Sequence, residues 1–136
     1  MTLAPPEELE IGIQELDDQH RTFYARINQL RDAMKAYDLP HVTETAEYLA
    51  QYAKEHFATE ERLMIEAGYP GFAEHLARHE EFKREFRAWR TRLESGGPTA
   101  GVVVELSAWL TAWLREHIRK VDIAMARFLR ARKPAP

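Results

Sequence analysis

His56 and Glu60 stand four residues apart, and so do His75 and His79, so each pair projects from adjacent turns of one helix face and can chelate a metal ion. His20 and His117 lie on apolar stripes of the same kind, and Asp122 follows His117 by five residues. Five residues turn a regular helix to about 140° off-face. Both side chains reach one centre only if that helix is locally distorted or meets the metal at two levels. The remaining histidine, His41, follows Pro40 at a helix start and reads as a solvent-exposed turn residue.

A single histidine on an apolar stripe is ordinarily a hydrogen-bonded core residue, and it is the arrival of five together that points to ligands. Cysteine is absent, which excludes disulfides, thiolate nucleophiles, thiolate zinc sites and iron-sulfur clusters and leaves nitrogen and oxygen as ligands. Burying five imidazoles and two carboxylates without compensation costs several kcal/mol for each charged group, and a metal removes that cost. Seven protein ligands are too many for one ion that keeps an open position. They suit two octahedral ions sharing bridging carboxylates, with iron the natural reading. Ligand type alone also admits zinc, although structural zinc sites are usually closed by four ligands and often include cysteine.

These residues need helices to carry them. His20, Phe23, Ile27, Leu30 and Met34 recur at three- and four-residue steps from Asp17 onward, and Asp17 or Asp18 is expected to cap that first helix. The segment 37–40 breaks the pattern. Val42, Ala46, Leu49, Ala53, His56, Glu60 and Leu63 then form a second stripe, ended by 68–71. Phe72, His75, His79, Phe82, Phe86, Trp89 and Leu93 make a third, closed by 95–98. A fourth begins near Ala100 and carries Val103, Leu106, Leu110, Trp113 or Leu114, His117, Val121 and Met125, with a basic stretch from Arg130 to Lys133 and fraying expected over 134–136.

Four long periodic segments joined by short breaks predict an all-α, antiparallel up-down four-helix bundle. At about 1.5 Å rise per residue, the seven polar residues fall near one layer of it. Residues 1–136 read as a single domain, with 1–16 as an extended N-terminal arm and 17–131 as the helical bundle. Leu9, Ile11, Ile13 and Leu16 are able to pack the arm against the bundle.

At 45% hydrophobic and 30% charged residues the composition is that of a globular chain, and a net charge of −3 is too small to suggest a nucleic-acid or anionic-membrane partner. No apolar run approaches the roughly 18 to 20 residues of a membrane span. Met1 to Glu8 lacks the basic and apolar segments of a secretory signal, so a cytoplasmic chain is expected.

His20 in Asp17-Asp18-Gln19-His20, His56-x-x-x-Glu60, His75-x-x-x-His79 and His117-Ile118-x-x-x-Asp122, in that order, resemble the hemerythrin family, most closely its single-domain bacteriohemerythrins. The resemblance covers nearly the whole chain, from about Ile11 to Arg130. It implies that His75, His79 and His117 bind one iron and His20 and His56 the other, while Glu60 and Asp122 bridge both together with an oxo or hydroxo group. One iron is then a ligand short, and dioxygen would bind there, taking one electron from each ferrous ion. Leu114 matches a pocket-lining leucine of the family, with Phe57, Trp113 and Ile118 as neighbours. Relatives often carry a tryptophan in the N-terminal arm, where this chain has Leu3-Ala4-Pro5-Pro6-Glu7.

The function so implied is reversible dioxygen binding for carriage, storage or delivery, by a monomer that is not an enzyme, with an oxygen-consuming enzyme as the candidate recipient. Two rivals stand beside it. An oxygen-sensing or iron-handling module would need a separate partner for its output. A di-iron oxidase or peroxidase of the ferritin-like kind would carry more carboxylates and two Glu-x-x-His motifs, and no such motif occurs here.

Overall fold

The structure, a computed structural model, describes residues 9–132. The residues before and after, including the proline-rich arm segment and the last three residues expected to fray, lie outside the described part. Helix α1 spans Gln14–Lys35, α2 Leu39–Ala67, α3 Phe72–Gly96 and α4 Ala100–His117. A π-helical turn, Ile118–Asp122, joins α4 to α5, Ile123–Ala131, so that the fourth rod is continuous but interrupted in its winding. No strand occurs among the described residues.

The expected bundle forms because each rod has one apolar stripe. Phe23, Ile27 and Leu30 of α1, Leu49 and Phe57 of α2, Phe82 and Phe86 of α3, and Leu106, Leu110 and Leu114 of α4 are all buried in one core. α1 packs on α2 and α4, and α3 on the same two, as consecutive helices joined by short connections must. Those connections are 36–38, 68–71 and 97–99.

Local chemistry sets the helix ends. The Asp38 carboxylate accepts from the His41 backbone N–H at 3.3 Å to cap α2, and the Thr99 hydroxyl accepts from Val102 N–H at 3.3 Å to cap α4. Gly68 ends α2 in the left-handed conformation, φ 66°, which costs glycine no side-chain clash. His41 is exposed, as its position after Pro40 predicts.

Three details differ from the pattern reading. α1 begins at Gln14, ahead of Asp17, and its cap residue Ile13 offers no side-chain bond. Asp17 therefore lies inside the first turn, where its carboxylate instead accepts from the backbone N–H groups of Ile11 at 2.9 Å and Gly12 at 3.1 Å. That contact folds the arm onto the helix and helps bury Leu9 and Ile11, while Ile13 is only partly covered. On α2, Met64 is fully buried and Leu63 partly so, because the stripe continues from Glu60 by a step of four.

Candidate metal centre

All four rods deliver polar side chains to one interior layer. His20 comes from α1, His56 and Glu60 from α2, His75 and His79 from α3, His117 from the end of α4 and Asp122 from the π turn. Each is at most 4% exposed. The seven residues singled out in the sequence are thus brought together without exception.

Their arrangement has two halves. Oε1 of Glu60 lies 3.2 Å from Nε2 of His75, 3.0 Å from that of His79 and 3.9 Å from that of His117. Its other oxygen, Oε2, lies 3.3 Å from Nε2 of His56 and 3.8 Å from that of His20. Asp122 divides in the same way, with Oδ1 at 3.1 Å from His75 and 3.0 Å from His117, and Oδ2 at 3.2 Å from His20. Each carboxylate spans both groups, one oxygen to each. Glu60, His75, His79, His117 and Asp122 form one set whose ligand atoms all lie within 4.8 Å of one another, and His20, His56, Glu60 and Asp122 form another.

The local winding explains Asp122. Over Ile118–Asp122 the backbone takes the wider π turn, which returns a residue five positions on to the face of His117. The distortion that the five-residue spacing requires is present at that spacing.

Of these contacts, those of His75 and His79 with Oε1 of Glu60 are hydrogen bonds. Nε2 of His20, His56 and His117, Oε2 of Glu60 and both oxygens of Asp122 are buried with no hydrogen-bond partner of acceptable geometry among the described residues. Buried polar atoms are seldom left so, and orphans from three of the four rods that converge on common points fit a metal held between them. The donor set of imidazole nitrogen and carboxylate oxygen suits two divalent or trivalent first-row ions.

The electrostatics favour positive charge at the same points. Burial opposes protonation of His20, but the adjacent carboxylates of Asp122 and Glu60 outweigh it and raise the pKa to about 9. His117 is raised to about 10 against the same opposition, with the charge of Asp122 foremost. His75 is raised as well. Burial pushes the carboxyls of Glu60 and Asp122 up, yet the surrounding imidazoles hold both well below the usual carboxylate range. Without metal, protons supply the cationic charge that the two carboxylates demand.

Around this layer Phe57 stacks on His79 with ring centres 3.9 Å apart, and Trp113 stacks on His117 at 4.4 Å. Phe57, Leu114 and Ile118 are fully buried and Trp113 is half-buried. Leu114 and Ile118 flank His117 on the same rod. Tyr52 donates its hydroxyl to the backbone oxygen of Gln19 at 3.1 Å. Tyr24 is buried, and desolvation raises its pKa against the opposing charge of Arg115.

Two polar residues that the pattern reading passed over touch the histidines directly: Gln19 at His56 and Glu61 at His79. Their only sequence signal is adjacency to His20 and Glu60. A groove of about 920 Å³ running from the C-terminal end of α1 along α4, lined by Met34, Val104 and Ala108 among others, contains none of the seven residues.

Residues 11–129 match the family model of the hemerythrin HHE cation binding domain. Similar proteins include the bacteriohemerythrin of Stenotrophomonas maltophilia, 38% identical over 88% of this chain and 76% of that protein. That of Pseudomonas aeruginosa is 37% identical over 85% of this chain and 74% of its own length. Among solved structures, wild-type hemerythrin superposes with a TM-score of 0.82 at 26% identity, covering 93% of this chain and 98% of that one. A leucine-to-alanine mutant of hemerythrin gives 0.83 at the same identity, over 95% and 98%.

Proposed function

The chain belongs to the hemerythrin family, and from that membership together with the two-halved cluster we propose that it binds dioxygen reversibly at a pair of iron ions, for carriage, storage or delivery rather than catalysis. The observation that carries this reading is the division of both carboxylates: Glu60 turns one oxygen toward His75, His79 and His117 and the other toward His20 and His56, and Asp122 turns one toward His75 and His117 and the other toward His20.

In this reading His75, His79 and His117 would hold one iron and His20 and His56 the other, with Glu60 and Asp122 shared between the two. The irons supply the electrons that make dioxygen binding possible and reversible. With two histidines against three, the His20 and His56 half offers fewer protein ligands, and dioxygen would enter there.

The chain's own part is to position and to exclude. Phe57 and Trp113, stacked on His79 and His117, hold those rings against rotation. Leu114, Phe57, Trp113 and Ile118 form the apolar wall of the dioxygen pocket and keep out the water and protons that would discharge the bound gas. No described helix is long and apolar enough to cross a membrane. We place the protein in the cytoplasm as a monomer, passing dioxygen to an oxygen-consuming enzyme and engaging no nucleic acid.

Visible spectroscopy of iron-loaded protein tests the proposal. A spectrum that appears on admitting air to the reduced protein and bleaches on deoxygenation, over repeated cycles, supports carriage. Steady consumption of oxygen with an added reductant points instead to an oxidase and overturns it.

A further inference from the structure

The two halves of the cluster give unlike partners to the outward nitrogens of their histidines. Nδ1 of His79 lies 2.9 Å from Oε2 of Glu61, a carboxylate, whereas Nδ1 of His56 lies 2.6 Å from Oε1 of Gln19, a neutral amide. Both rings turn Nε2 inward toward Glu60, which leaves Nδ1–H to donate outward. Nδ1 of His20 and of His75 is buried with no such partner among the described residues, so Gln19 and Glu61 are selective features rather than members of a uniform shell.

Both are held in place. The Gln19 amide nitrogen donates to the Thr59 hydroxyl at 3.4 Å and its backbone oxygen accepts from Tyr52 at 3.1 Å. Thr59 in turn donates to the Glu55 carbonyl at 3.1 Å. With the amide nitrogen engaged there, its oxygen faces His56. Glu61 reaches from α2 to α3 with its side chain only 22% exposed, against a His79 side chain that is fully buried. A hydrogen bond to an ionised acceptor is stronger than one to a neutral acceptor, and it makes the donating imidazole a better ligand through its other nitrogen.

We propose that Glu61 and Gln19 are positioning residues that make the two halves unequal cation sites: Glu61 fixes and polarises His79 so that the three-histidine half holds its cation more tightly, while Gln19 only orients His56. This rests on the metal-binding reading above. It adds that part of the inequality comes from Glu61 and not from the count of ligands.

Titration of the metal-stripped chain with cobalt(II), followed by its visible absorption, gives the two stepwise affinities, and ¹⁵N shifts of His79 in zinc-loaded protein report the outward bond. Glu61→Gln is expected to weaken the tighter step by about 10- to 100-fold and to leave the weaker step nearly unchanged. Gln19→Glu is expected to strengthen the weaker step by about tenfold. In Glu61→Gln the Nδ1 shift of His79 moves toward that of a neutrally bonded imidazole. Unchanged steps in a folded Glu61→Gln chain, or equal weakening of both, overturn the proposal while leaving the metal reading intact. Failure of the unaltered chain to take up cobalt overturns both.

Discussion

His117 and Asp122 meet with Nε2 and Oδ1 3.0 Å apart although five residues separate them, because Ile118–Asp122 winds as a π turn. A regular helix would point Asp122 away from the cluster by about 140°. The irregular turn is what lets one rod supply both a terminal histidine and a carboxylate shared by the two halves.

Asp122→Asn tests that sharing. The substitution preserves volume but removes the charge that faces His20, His75 and His117. Metal content is expected to fall by at least half, and the metal-free chain to lose about 3–5 kcal/mol of stability in denaturant titration, the range for breaking a buried ion pair. Full metal content in Asp122→Asn would contradict the bridging role.

In chelator, stability should depend on pH with a definite sign. His20 and His117 have pKa values near 9 and 10 in the fold against 6.5 when exposed, so the stability they contribute is complete below pH 6.5 and is lost as pH rises through 9 and 10. The carboxyls of Glu60 and Asp122 are lowered, so their contribution is present above their ordinary values of 4.5 and 3.8 and lost as pH falls through the lowered ones. The stability of the metal-free chain, and with it the melting temperature, should therefore decline from pH 6.5 to pH 10, the free energy falling by on the order of several kcal/mol. A flat or rising profile would show that the histidines are not held cationic by the carboxylates.

Metal uptake should release protons for the same reason, since His20 and His117 must give up theirs to coordinate. Zinc titration in weakly buffered solution at pH 7.5 is expected to liberate at least one proton per chain, and affinity is expected to fall as pH is lowered. Uptake without proton release would place the metal elsewhere.

Much of this was legible from spacing alone. The stripes that set His20, His56, His75, His79 and His117 inward are the same stripes that bury Phe23, Phe82 and Leu110, so core and cluster share one periodic signal. Even the awkward five-residue step announced a distortion. Gln19 and Glu61 could not be read in this way. Gln19 meets His56 across 37 positions of chain and Glu61 meets His79 across 18, and such pairs depend on the rotation and register of neighbouring helices, which no single stripe encodes. The role of Asp17 was hidden likewise, because its partners are backbone groups of Ile11 and Gly12 that present themselves only once the arm folds back.

Asp17→Ala should then loosen the arm without touching the cluster. Two backbone N–H groups lose their acceptor, and a cost of about 1–3 kcal/mol is expected, with faster amide exchange confined to Ile11, Gly12 and their neighbours. Altered metal content in this variant would contradict the separation.

Leu114→Ala opens space beside His117 in a fully buried position. A loss of about 2–5 kcal/mol in stability is expected from the cavity. The oxygenated protein should also autoxidise faster as water gains access, read from the decay of its visible band. Unchanged autoxidation would remove Leu114 from the pocket wall.

The most direct measurement is anomalous diffraction at the iron edge from crystals of the iron-loaded chain. Two peaks are predicted, one among His75, His79 and His117 and one beside His20 and His56, with Glu60 and Asp122 touching both. A single peak, or iron bound anywhere outside these seven side chains, would contradict the paired centre.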